Sequence, residues 1–232
     1  MRPLLPVVLT IASTSAPAIA APLYAITPIG TPGSVGTGIN ASGEITGYFY
    51  TAGHSGFGEA PGITHAFLWN GTSTQDLGTL GGRSSAGYAI NASGQVTGYS
   101  DRPNGSHAFL WNSSMQDLGT LGGSQSYGYG INASGQVTGY SGTSYSASLD
   151  LHAFLWNGAS LQDLGTLGGT GPYFGGRPLS YGRAVNDTGQ VTGYSNAPSG
   201  SHAFLWNGAS MQDLGPFAAR SALAMGSTPT AR

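Results

Sequence analysis

Cysteine and lysine are both absent from the 232 residues, and only 7% of them carry a charge. Without cysteine, no disulfide can staple the chain and no thiol can act as a nucleophile. At this size, folding hides about 70% of the unfolded chain's surface, so a single core suffices without staples. The seven basic residues are all arginines, set against nine acids, for a net charge of −2. No basic stripe is available to follow a phosphate backbone, so no nucleic acid is expected as a partner. Catalytic signatures are missing too: the sequence has no G-x-S-x-G elbow, no H-E-x-x-H and no P-loop. The acids Glu44, Glu59, Asp101, Asp150 and Asp187 are scattered, and spacing along the chain assigns no two of them to a glycosidase pair.

What is present begins with a leader. Residues 1–20, MRPLLPVVLTIASTSAPAIA, place Arg2 before an apolar run from Leu4 to Ala12 and end on Ala18-Ile19-Ala20. This order reads as a secretory signal peptide cut after Ala20. The apolar run is shorter than the roughly 20 residues a membrane span needs. The expected product is exported, to the extracellular space or periplasm, with no integral membrane segment after cleavage.

Glycine is abundant, at 40 residues, but lacks the Gly-X-Y period of collagen, which points to many tight turns. The pentad HAFLW begins at His65, His107, His152 and His202, at intervals of 42, 45 and 50 residues. Each copy leads into a turn (Asn70-Gly71, Asn112-Ser113, Asn157-Gly158, Asn207-Gly208) and then a Q-D-L-G segment. Between copies come a segment such as GYAIN and then QVTGYS, separated by Asn91-Ala92-Ser93-Gly94 or its counterparts at Asn40, Asn132 and Asn186. Short aromatic and β-branched runs between Asn-Gly and Asn-x-x-Gly turns read as strands and hairpins. N-A-S and N-D-T also match the N-glycosylation pattern, but the turn reading accounts for these residues without a sugar.

Each unit is therefore two hairpins, or one four-stranded antiparallel meander. Along HAFLW, His, Phe and Trp share one face and Ala and Leu the other, so both faces are largely apolar and must be sandwiched between neighbours. The fold class predicted is all-β, a repeat protein of such units, favoured as a small β-propeller of about four blades over a stack that stays open as a solenoid. Residues 21–216 form this domain and residues 217–232 a tail. A partial copy at Thr27–Thr31, aligned with Gln-Asp-Leu-Gly-Thr, brings the expected strand count to seventeen, one more than four blades need.

The combination HAFLW, MQDLGTLGG and GYGINASGQVTGYS closely resembles the HAF family of probable extracellular repeats, over about Ile26 to Gly215. The resemblance implies a bacterial, exported, propeller-like protein. It brings no established activity and no catalytic residues.

His65, His107, His152 and His202 recur with Asp76, Asp117, Asp163 and Asp213. A structural pairing of each His with a carboxylate or carbonyl of its own or the adjoining blade is the favoured expectation. The alternative sends the four imidazoles to the axis as a metal site, but no metal or other cofactor is the expectation adopted. Phe67, Phe109, Phe154 and Phe204, with Trp69, Trp111, Trp156 and Trp206, are expected as inter-blade core.

In such a meander the short uniform turns gather at one end and the variable connections at the other. The variable end carries Tyr50, His54, Phe57, Arg102, Tyr145, Tyr173, Phe174 and Arg177. Loops on a rigid scaffold are the usual place for function, and this mixture of rings and guanidinium groups suits a carbohydrate or a protein partner. The function expected is a secreted, non-catalytic binding or structural module. A glycoside hydrolase or lyase and a purely structural surface protein are the alternatives.

Overall fold

The computed structural model describes residues 29, 33–52, 62–145, 150–169 and 177–216. Among them lie sixteen strands and no helix. The first sheet holds β1 (Val35–Ile39), β2 (Ile45–Ala52), β3 (Ile63–Trp69) and β4 (Thr74–Gly78). The second holds β5 (Ser85–Ile90), β6 (Val96–Arg102), β7 (Gly105–Trp111) and β8 (Met115–Asp117). The third holds β9 (Ser126–Ile131), β10 (Val137–Gly142), β11 (Leu151–Trp156) and β12 (Leu161–Asp163). The fourth holds β13 (Ser180–Val185), β14 (Val191–Ala197), β15 (Gly200–Trp206) and β16 (Met211–Pro216).

Every sheet is an antiparallel meander in chain order. The fold is thus all-β and built from four propeller blades, one per HAFLW pentad. The expected extra strand at Thr27–Thr31 lies outside the described residues apart from Ile29, as do the leader and the tail. No helix long and apolar enough to cross a membrane occurs among the described residues.

The turns form for the reasons their residues dictate. Asn91 Oδ1 accepts bonds from the N–H groups of Ser93 and Gln95, and Asn40 and Asn186 repeat the arrangement. The turn closes on Gly94, Gly43 or Gly189 at positive φ, where a Cβ would be costly. Asn91 and Asn132 are buried, and each Nδ2 donates both to a Gln of its own turn and to the Asn carbonyl of the next blade. Those amides therefore hold blades together.

The two faces of HAFLW pack as strand alternation requires. Ala66, Leu68 and Leu77 of the first blade meet Val96 and Phe109 of the second, with Trp111 against them. The same set recurs between the second and third blades (Ala108, Leu118 against Val137, Phe154, Trp156) and between the third and fourth (Ala153, Leu155, Leu164 against Val191, Phe204, Trp206). All four Phe are fully buried, each contributing about 1.5–3 kcal/mol of apolar burial.

Polar contacts repeat at the same interfaces. Ser85, Ser126 and Ser180 each accept from the N–H of the preceding blade's Ala66, Ala108 or Ala153 and donate to the carbonyl of Gly78, Gly119 or Gly165. The first strand of each later blade lies across the preceding one: β5 on β1, β2 and β3, β9 on β5, β6 and β7, and β13 on β9, β10 and β11. Among the described residues, the fourth blade makes no comparable contact with the first.

Candidate functional site: a tyrosine-lined cleft

The T-G-Y triplet of each second strand sets a tyrosine on the same face as the threonine two positions earlier, the face toward the next blade. These are Tyr48, Tyr99, Tyr140 and Tyr194. The facing first strands add Tyr88, Tyr127, Tyr129 and Tyr181. The rings join into one wall: centroids are 5.7 Å apart for Tyr88 and Tyr99, 4.9 Å for Tyr99 and Tyr127, and 5.0 Å for Tyr127 and Tyr140. The wall continues to Tyr181 at 4.6 Å and Tyr194 at 4.8 Å beyond it. Tyr129 stacks on Tyr88 at 5.3 Å, and the Arg183 guanidinium lies over Tyr129 and Tyr194 at 4.7 and 5.4 Å, a favourable cation–π geometry.

The wall is half-buried, and for five of its rings that decides the protonation. Burial, reinforced by the charge of neighbouring phenolates, pushes the hydroxyls of Tyr88 and Tyr140 above the ordinary tyrosine range and that of Tyr181 to about 12. Burial and the carboxylate of Asp101 do the same to Tyr99. Burial also raises Tyr129, with the nearby Arg183 opposing. At neutral pH these are uncharged phenols, able to donate and accept hydrogen bonds and to offer flat apolar faces.

At the first two blades the wall opens into a cleft of about 680 Å³. Tyr48, Tyr50, Tyr88 and Tyr99 supply its rings, Arg83 and Asp101 its charges, and Ile63, Thr64 and Ser84 its rim. Tyr50 and Asp101 lie near the ends of β2 and β6, Thr64 near the start of β3, and Ser84 just before β5. The cleft therefore opens at the end served by the variable connections.

The residues picked out from the sequence divide four ways. Tyr50 lines the cleft. Arg102 is engaged by Asp117 and His107, and Arg177 pairs with Asp150 at 3.2 Å. Tyr145 is 74% exposed and borders a small separate hollow with Arg102, Pro103 and His107. Phe57, Tyr173 and Phe174, with His54 and Glu59, lie outside the described residues. The other acids are dispersed: Glu44 accepts from Asn40, Asp187 from the Ala133 N–H, and Asp101 from Ser106. Asp101 is the one carboxylate among the cleft's described lining residues.

The repeated histidines do not converge. His65, His107, His152 and His202 each place Nδ1 at 2.8–2.9 Å from Asp76, Asp117, Asp163 and Asp213, so each is held by the fourth strand of its own blade. No group of three or more His, Cys, Asp or Glu able to hold a metal occurs among the described residues. Each Asp also accepts the N–H two residues on (Gly78, Gly119, Gly165, Gly215). The Gly215 N–H and the His202 bond hold the Asp213 carboxyl below the usual range. At Asp163 partial burial pulls upward, but the bonds from His152 and Gly165 outweigh it and the carboxyl again lies low.

Sequence reasoning missed Tyr48, Tyr88, Tyr99 and their successors as a surface, together with Arg83 and Arg183. The signal was present as a tyrosine at a fixed repeat position after T-G. Alternation alone does not say which side of a blade meets the axis.

No protein-family model matches the chain, and no curated protein matches it. Among solved structures, a complex of acylaminoacyl peptidase with Z-Gly-Gly-Phe-chloromethyl ketone is similar at 12% identity, covering 79% of this chain and 27% of the peptidase, with a TM-score of 0.48. The β-propeller domain of the Trilobed protease from Pyrococcus furiosus is similar at 12% identity, covering 82% of this chain and 56% of that one, with a TM-score of 0.47. The chain thus spans between about a quarter and just over half of these structures.

Proposed function

We propose that this chain is an exported, non-catalytic binding module of the HAF-repeat kind, and that it takes a neutral glycan in the tyrosine-lined cleft. The observation that carries the reading is the cleft itself, where four tyrosine rings and one Arg–Asp set stand at the variable end of a rigid array. Sugar rings present apolar C–H faces and hydroxyl edges, and phenol faces beside a guanidinium and a carboxylate complement both. Among the described lining residues Asp101 is the one carboxylate, whereas glycoside hydrolysis uses two. A chain with so few charges also suits an uncharged ligand better than an anionic polymer.

Affinity electrophoresis through gels cast with neutral polysaccharides tests the proposal. Wild-type protein is expected to be retarded by at least one polymer, and Tyr50→Ala and Arg83→Ala are expected to migrate freely while keeping the wild-type melting temperature. Equal migration of wild type and both variants in every gel would remove the cleft as the site. Release of reducing ends by the wild type would remove the non-catalytic reading.

A further inference from the structure

Three internal interfaces repeat one pattern, and among the described residues the two outer faces of the array are the unmatched halves of a fourth. A Cβ added to Gly87, Gly128 or Gly182 would lie 2.2, 2.3 or 2.1 Å from the hydroxyl oxygen of Thr46, Thr97 or Thr138 in the preceding blade. Glycine is required there because the threonine hydroxyl, held by its bond to the carbonyl of Phe67, Phe109 or Phe154, occupies the space a Cβ would take. Gly36 holds the same register position in β1, yet a Cβ on it would meet only Ile45 at 3.4 Å and Ile29 at 3.9 Å. Within the described residues nothing accounts for a glycine at that point.

Its counterpart stands on the opposite face. Thr46, Thr97 and Thr138 are fully buried, whereas Thr192 is exposed. Leu77, Leu118 and Leu164 are 7, 5 and 4% exposed, but Leu214 is 54% exposed. On the first blade, Ile39 is 67% exposed. The amide ladder is cut in the same place: Asn40, Asn91 and Asn132 each donate to the Asn carbonyl of the next blade, while Asn186 Nδ2 reaches only Gln190 among the described residues.

We infer that the fourth blade of one chain docks on the first blade of a second copy, with Thr192 over Gly36 and Asn186 donating to the Asn40 carbonyl. The contact continues the internal interface, so its chemistry is already specified three times within each chain. It is heterologous, joining two different faces, and such a contact closes into a ring or extends as a stack according to the rotation per copy. The inference does not rest on the proposed binding function.

Light scattering on the full chain, with Thr192→Arg and Gly36→Gln, tests it. Both substitutions fall on exposed backbone where the lone chain has room, so each variant is expected to keep the wild-type circular dichroism spectrum and melting temperature measured under dissociating dilution. Wild type is expected at the mass of two or more chains, and each variant alone at the mass of one. A mixture of the two variants is expected to give dimers, because one intact junction survives between the Thr192 face of the Gly36→Gln chain and the Gly36 face of the Thr192→Arg chain. A wild-type monomer at all concentrations overturns the inference, and so does a mixture that stays monomeric. A monomer destabilised by Gly36→Gln would mean that the chain covers its own faces.

Discussion

Ser113 is the single non-glycine residue at positive φ among those described, at 64°, in the turn where the other three pentads are followed by Gly71, Gly158 and Gly208. An L-residue in that conformation costs about 1–2 kcal/mol. Ser113→Gly is therefore expected to stabilise the protein by about 1 kcal/mol, read as a rise in the denaturant midpoint with an unchanged slope. At the same scale, the His–Asp pairs give a pH dependence with a defined sign. Asp163 and Asp213 have lowered carboxyl pKa values in the folded chain, so their contribution is complete above the unfolded value of about 3.9 and is lost as pH falls through the lower folded value. Melting temperature is expected to hold from pH 7 to about 5 and to fall below about 4, and Asp163→Asn is expected to flatten that fall. An identical acid profile in the variant would show that the pair does not carry it. The pairing of His with Asp was legible in the sequence from their fixed places in each unit. That each pair lies within one blade was not, because strand spacing does not say which neighbour a side chain meets.

At the scale of the strand, the close approach of glycine to threonine controls how blades stack. Gly128→Ala places a methyl group 2.3 Å from the Thr97 hydroxyl oxygen, with Val137 Cγ1 at 3.0 Å and the Gly98 carbonyl oxygen at 3.3 Å, and overpacking of this kind costs about 1–3 kcal/mol. Gly36→Ala, with its nearest neighbours at 3.4 Å or beyond, is expected to change the stability of the isolated chain by less than about 0.5 kcal/mol. Urea titrations of the two variants check the contrast, and equal losses would mean that Gly128 is not held by the threonine. The strands themselves were readable in detail. The Asn turns, the four-strand units and the opposite apolar faces of HAFLW all follow from turn chemistry and period-two alternation, and Phe109 and Trp111 lie where that alternation puts them. The unmatched outer faces were not readable, since a strand count ending on a partial repeat is compatible with a closed ring or an open array. Nor was the fate of the loop cations, for Arg102 and Arg177 are drawn to Asp117 and Asp150 by folding that brings distant residues together.

For the whole molecule, the tyrosine wall is a structural spine and, in the proposed function, the surface that meets the ligand. The hydroxyls of Tyr88, Tyr99, Tyr129, Tyr140 and Tyr181 titrate above the ordinary value of about 10 in the folded chain. The stability this represents is present below about pH 10 and is lost as pH climbs through the raised values, because the unfolded chain releases protons that the folded chain keeps. An alkaline titration of phenolate absorbance is expected to show Tyr88, Tyr99, Tyr129, Tyr140 and Tyr181 ionising late and together with unfolding, against a single early transition in denaturant. Coincident folded and unfolded curves would mean the wall is solvated. The most direct test of the cleft as a binding site is a titration of the wild-type chain, its tyrosine rings labelled with carbon-13, with neutral hexasaccharides of glucose, xylose and N-acetylglucosamine. The account predicts saturable shifts at Tyr48, Tyr50, Tyr88 and Tyr99 for at least one of them, with Tyr194 unmoved. Shifts confined to Tyr145, or none with any of the three sugars, would contradict it.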